Sequence, residues 1–121
     1  MKHRVVITGM GAITPLGSDL HTIWNNLING KSGVSEVTLF DASDLPTRIA
    51  AEVKDFNIED YVDRREARRM DRFVQFAVAA TKKALQDADM TIGTNADPER
   101  TGVIVGSGIG GLGTWEEQHT I

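Results

Sequence analysis

The sequence predicts an α/β chain, and three observations predict it. Two short β-branched runs, residues 4–8 (RVVIT) and 101–105 (TGVIV), each break off at a cluster of glycines. Between them lie two stretches whose apolar residues recur at helical spacing. A strand that stops abruptly on glycine and is followed by an amphipathic helix is the opening of an α/β unit, with the strand buried on both faces of a sheet.

The first run therefore reads as a buried strand, and Gly9-Met10-Gly11 as the tight turn that ends it. After the turn-like Thr14-Pro15-Leu16-Gly17, Ser18 is placed to cap a helix, with Asp19 in its first turn at the positive end of the dipole. Leu20, Ile23, Trp24, Leu27 and Ile28 give that helix one apolar face, and Asn29-Gly30 supplies residues that tolerate a left-handed C-terminus. Residues 34–39 and 48–53 read as short strands separated by Asp44-Leu45-Pro46. Residues 61–70 are dense in charge, with Arg64, Arg65, Arg68 and Arg69 at helical spacing, and predict an exposed helix. The second long helix is predicted over 71–89. Phe73, Ala77, Ala80 and Ala84 mark one of its faces, and the small residues there permit close approach of another helix. A polar loop over 93–100 leads into the second buried strand, and the glycine cluster 106–111 follows. The polar residues Glu116 to His119 resemble the start of a further helix, so the chain is expected to be a fragment.

Composition narrows the chemistry. A formal net charge of −4 gives no basic footprint for nucleic acid. No stretch approaches the roughly 18 consecutive apolar residues of a membrane span, and the first residues lack a secretory core, so the cytoplasm is expected. The chain has no cysteine, hence no disulfide, no thiolate metal site and no thiol nucleophile. Its three histidines, His3, His21 and His119, are too scattered to predict a metal site.

Three glycine motifs compete for a functional reading. Gly106-x-Gly108-x-x-Gly111 fits the spacing of a dinucleotide fingerprint, whose bare backbone brings a pyrophosphate to a helix N-terminus. The acidic residue that completes the fingerprint belongs about 20 positions further on, past Ile121. The alternative is that these glycines allow tight strand-to-helix turning and close packing at a sheet edge. Gly9-Met10-Gly11 fails the fingerprint because Thr14 stands at its third glycine. Asn29-Gly30-Lys31-Ser32 fails as a phosphate-binding loop because Asn25 stands where that motif needs glycine.

Four blocks together carry more information than any of these motifs: RVVITGMGAITPLG at 4–17, NGKSGV at 29–34, EARRMDRFVQFA at 66–77 and GVIVGSGIGGL at 102–112. In this order and spacing the chain resembles the beta-ketoacyl-acyl carrier protein synthase II family from end to end, and its GSGIGG form resembles synthase II more than synthase I. The resemblance implies a thiolase-like fold, two similar α/β halves in a homodimer, with residues 1–121 forming the first part of the N-terminal half. It implies an acyltransferase of fatty-acid synthesis that works without a cofactor. An acyl group passes from acyl carrier protein to a cysteine, malonyl-carrier protein loses carbon dioxide, and the carbanion attacks the thioester. The family's cysteine and two histidines fall past residue 121, so the resemblance assigns no catalytic residue here, and the chain by itself is expected to be inactive. Ile109 matches the isoleucine that faces the acyl-chain pocket and moves to admit substrate; the plain alternative is a core residue. Arg65, Arg68 and Arg69 match positions that contact the acidic helix of acyl carrier protein. For them the alternative is a solvated face with pairs such as Glu66 with Arg69. The readings that remain beside a condensing enzyme are a Rossmann-type dehydrogenase, through the glycine turn after Val105, and a non-catalytic carrier-binding fragment.

Overall fold

The computed structural model describes residues 3–120; Met1, Lys2 and Ile121, at the ends of the expected 1–121 segment, lie outside the described residues. The chain forms two compact units. One is Ala12–Phe56, and the other joins the N-terminal segment through Gly11 to the chain from Asn57 onward.

In the Ala12–Phe56 unit, backbone bonds from Thr14 N–H to Gly17 O (2.9 Å) and from Gly17 N–H to Thr14 O (3.0 Å) close the expected Pro15-Leu16 turn. Helix α1 follows over Leu20–Ile28. Its cap is Asp19, not Ser18 as the sequence predicts: the Asp19 carboxylate accepts the Thr22 amide at 2.8 Å. A full negative charge satisfies the orphan amide and the helix dipole together, which a hydroxyl one residue earlier does not. The C-terminus closes as expected, with Gly30 at φ 62 and Lys31 N–H donating to Asn26 O at 2.9 Å. The apolar stripe is only partly covered: Leu20 and Ile23 are half-buried, whereas Trp24, Leu27 and Ile28 are exposed. Strands β1 (Ser35–Glu36) and β2 (Ile49–Ala50) pair antiparallel, Ser35 opposite Ala50. They are much shorter than the expected 34–39 and 48–53. One reason is that the Thr38 amide, hydroxyl and the Leu39 amide all donate to the Glu52 carboxylate, so a side chain takes over where a backbone ladder would continue.

In the other unit, a 3₁₀ turn over Ile58–Asp60 precedes helix α2 (Arg64–Ala67) and helix α3 (Arg72–Asp87). The predicted helix over 61–70 is reduced to four residues of α-helix. Asp63 caps its start by accepting the Arg65 and Glu66 amides, and the extended backbone of Asp71 (ψ 156) stops helical geometry before α3. From α3 the Gln75 side-chain amide donates to Met70 O at 3.1 Å and toward Ala67 O at 3.4 Å, tying α3 to the turn that follows α2. Ile58, Ala67 and Ala79 are buried here, Ala79 completely.

The small-residue face of α3 receives a close neighbour, but it is the non-helical Gly9 to Gly11 segment and not the expected helix. A Cβ on Gly9 would lie 2.6 Å from Ala88 N, and one on Gly11 would lie 2.6 Å from Ala84 N, so only glycine lets this segment rest on α3. The Met10 amide adds a 2.9 Å bond to the Asp87 carboxylate. The strand expected over 4–8 and the one over 101–105 are not formed: neither run pairs in a ladder among the described residues. Val5 is 94% and Ile104 101% exposed. A strand exists only through its neighbours' backbone, and these two runs find none here. The last helix, α4 (Leu112–His119), begins directly after the glycine cluster, four residues before the polar stretch that predicted it.

Candidate functional site

Two features of the unit that contains α2, α3 and α4 collect the residues singled out in the sequence. The first is the arginine turn. Helical geometry continues past α2, with Arg68 at φ −67, ψ −14, Arg69 N–H bonded to Glu66 O at 3.0 Å and Met70 N–H to Ala67 O at 3.2 Å. Arg65, Arg68 and Arg69 thus stand at i, i+3 and i+4, which puts them on one face. Ala67 is buried beneath the turn, while all three arginines are exposed. The alternative pair of Glu66 with Arg69 does not form. The ion pair present is Arg64 with Glu59 at 3.7 Å, and Arg65, Arg68 and Arg69 make none among the described residues. Gln75 braces the backbone of this face from α3.

The second feature is the glycine turn, residues 106–111. Gly110 has φ 77, and a Cβ on it would sit 3.4 Å from the Phe73 ring. Gly111 lies against the Asp71 carboxylate so closely that any side chain there would displace it. The Thr114 hydroxyl donates to the same carboxylate. Ile109 stands at the bend and is 80% exposed in this chain. The arrangement is poor for a nucleotide: at the N-terminus of α4, where a pyrophosphate would approach, the chain places the Asp71 carboxylate.

Elsewhere, an open groove of about 480 Å³ in the Ala12–Phe56 unit is lined by Thr14, Ser18, Asp19, Ser35, Glu52 and Lys54 among others. It contains none of the predicted site residues, Arg65, Arg68, Arg69 and Ile109. The Thr38 hydroxyl, and then its amide, hold the Glu52 carboxyl below the ordinary carboxylate value. Among the described residues no three His, Cys, Asp or Glu side chains gather as a metal site, and His119 stacks on Trp115 with ring centroids 5.3 Å apart. The contact that sequence reasoning missed is Asp71 with Gly111 and Thr114. An aspartate before a helix signals a cap, and nothing local announces a partner 43 residues away.

The chain belongs to the beta-ketoacyl synthase family, matching the description "Beta-ketoacyl synthase, N-terminal domain" over residues 2–120. It is 48% identical over 116 residues to the 3-oxoacyl-[acyl-carrier-protein] synthase 2 of Staphylococcus aureus, covering 96% of this chain and 28% of the relative. To the enzyme of the same name from Synechocystis sp. it is 50% identical over 121 residues, covering 99% of this chain and 29% of the relative. Among solved structures it is similar to the ishigamide ketosynthase/chain length factor. That match has 34% identity and a TM-score of 0.70, and covers 75% of this chain and 23% of the other. The fold class is therefore the thiolase-like α/β fold of this family, and the chain spans less than a third of the length of these relatives.

Proposed function

We propose that this chain is the N-terminal segment of the first thiolase-like half of a condensing enzyme of type II fatty-acid synthesis. That enzyme elongates an acyl chain on its carrier protein in the cytoplasm, as a homodimer. The reaction is a decarboxylative Claisen condensation. A cysteine thiolate takes the acyl group as a thioester; malonyl-carrier protein loses carbon dioxide; the carbanion attacks the thioester carbonyl and the thiolate leaves as the carbon-carbon bond forms. Thiolate suits both roles, as nucleophile and as leaving group. The chain's 121 residues contain no cysteine, so its part in this chemistry is recognition and not bond-making.

The observation that carries the reading is the arginine turn. Arg65, Arg68 and Arg69 share one exposed face, without internal ion pairs among the described residues, on a turn braced by Gln75. Such a face suits the acidic helix of acyl carrier protein, steering its approach and orientation. Ile109, exposed on the glycine turn, is the apolar side chain that meets the acyl chain. The absence of cysteine also fits a second reading, a non-catalytic fragment that binds the carrier.

Carrier binding by this chain, compared with an Arg65→Glu, Arg68→Glu, Arg69→Glu variant, tests the docking face. Reversing three charges should weaken binding by at least about tenfold and abolish its salt dependence. Unchanged affinity would remove the face from the account.

A further inference from the structure

Each of four other turns in this chain is capped by the acidic or amide side chain before it: Asp19, Asn57, Asp63 and Asp97 all accept an amide of the second or third helical residue. Asp71 is the exception. It holds the cap position of the 16-residue α3 in the extended conformation a cap requires, yet its side chain makes no cap bond. The carboxylate points instead at the glycine turn, where it accepts the Thr114 hydroxyl and fills the space a Cβ on Gly111 would need.

What Asp71 holds cannot hold itself. Helix α4 has eight residues, every one of them exposed, and its own cap position is Gly111, which has no side chain to offer. Helices shorter than about 12 residues are marginal in water without tertiary support. Support for α4 comes from Asp71 with Thr114 and from Gly110 against Phe73. Both come from the first turn of α3.

We infer that Asp71 is a positioning residue for the turn that carries Ile109: its carboxylate holds the turn through Thr114, and releases it by rotating back to cap α3. The exchange trades one hydrogen bond to a carboxylate for another, from hydroxyl donor to backbone amide, so release is cheap and the turn is poised between held and free. The consequence for acyl-chain selection rests on the reading of Ile109 given above; the latch itself does not.

Hydrogen exchange on the chain, read residue by residue, tests the latch. Thr114→Val removes the donor and keeps the shape. It should speed exchange of the Trp115 to Thr120 amides about tenfold, the loss expected for one charged hydrogen bond. The same variant should slow the Phe73 and Val74 amides, because Asp71 is then free to cap them. Asp71→Ala should speed the α4 amides without slowing Phe73 and Val74. Asp71→Asn, whose side-chain carbonyl can accept in either position, should restore part of both effects. Unchanged α4 exchange in Thr114→Val would overturn the latch, and a loosened α4 with no slowing at Phe73 and Val74 would overturn the exchange of partners. In the full-length condensing enzyme, Thr114→Val should shift the ratio of kcat/KM for long against short acyl-carrier substrates in the same direction as Ile109→Ala. A shift with Ile109→Ala alone sinks the positioning role. No shift with either variant sinks the pocket reading of Ile109, and the exchange pattern still decides the latch.

Discussion

Replacing Gly11 by alanine places a methyl group inside the backbone of α3. The new Cβ would lie 2.6 Å from Ala84 N and 2.8 Å from Lys83 Cβ, with Ala80 O closer still. Ordinary contact begins near 3.4 Å and the overlap with Ala80 O is deeper than an ångström, so the segment must retreat by more than an ångström. The obstacle is helical backbone tied into its own hydrogen-bond ladder, which yields far less than the end of a flexible side chain. Overpacking costs typically about 1–3 kcal/mol, and a backbone obstacle puts Gly11→Ala near the top, about 3 kcal/mol. Retreat also pulls the Met10 amide from the Asp87 carboxylate. With an m-value of about 2 kcal/mol/M in urea, the midpoint should fall by about 1.5 M. Circular dichroism during urea titration measures it. Gly113→Ala is the control: nothing lies within 4 Å of its Cβ, and it sits inside α4, where alanine is favoured over glycine by about 1 kcal/mol. A Gly11→Ala midpoint equal to wild type would refute the claim that the Gly9 to Gly11 segment rests on α3.

Three further outcomes follow from the same contacts. Gly30→Ala has no steric obstacle but must hold φ 62, so it should cost about 1 kcal/mol, and Gly30→Asn less, in the same urea titration. Glu52 has a folded-state pKa below its ordinary 4.5, so its contribution is present above that value and is lost as pH falls through the lowered folded value. Thermal melts across pH 3–6 should therefore show a shallower acid-side decline for Glu52→Gln than for wild type, and identical slopes would remove Glu52 from the acid response. The 121-residue chain alone, free of any full-length enzyme, should form no malonyl-dependent product, since it has no cysteine to carry the acyl group. Product formed by the homogeneous chain would overturn that.

Local signals were the legible ones. Asn29-Gly30 announces the end of α1, the Thr14-Pro15-Leu16-Gly17 turn closes as expected, and the alanines of α3 signal a close neighbour, though it is a glycine segment and not a helix. The cap of α1 moved by one residue because two good capping residues, Ser18 and Asp19, stand side by side and the charged one prevails. Relations between distant residues were not legible. Whether residues 4–8 and 101–105 pair depends on neighbours, which composition does not reveal, and the short β1 and β2 depend on Glu52 taking the Thr38 amide. At the candidate site, the shared face of Arg65, Arg68 and Arg69 was readable from spacing, but not the absence of a Glu66 to Arg69 pair. The Asp71 contact was hidden because nothing local to residue 71 points to a partner 43 residues away.

The most direct test of the central claim is condensation by the full-length enzyme that carries this segment, supplied with acyl-carrier protein and malonyl-carrier protein. A product two carbons longer, formed with release of carbon dioxide and weakened by the Arg65→Glu, Arg68→Glu, Arg69→Glu variant through KM more than kcat, is the result predicted. No malonyl-dependent product, together with saturable binding of NADH at the glycine turn, would contradict it.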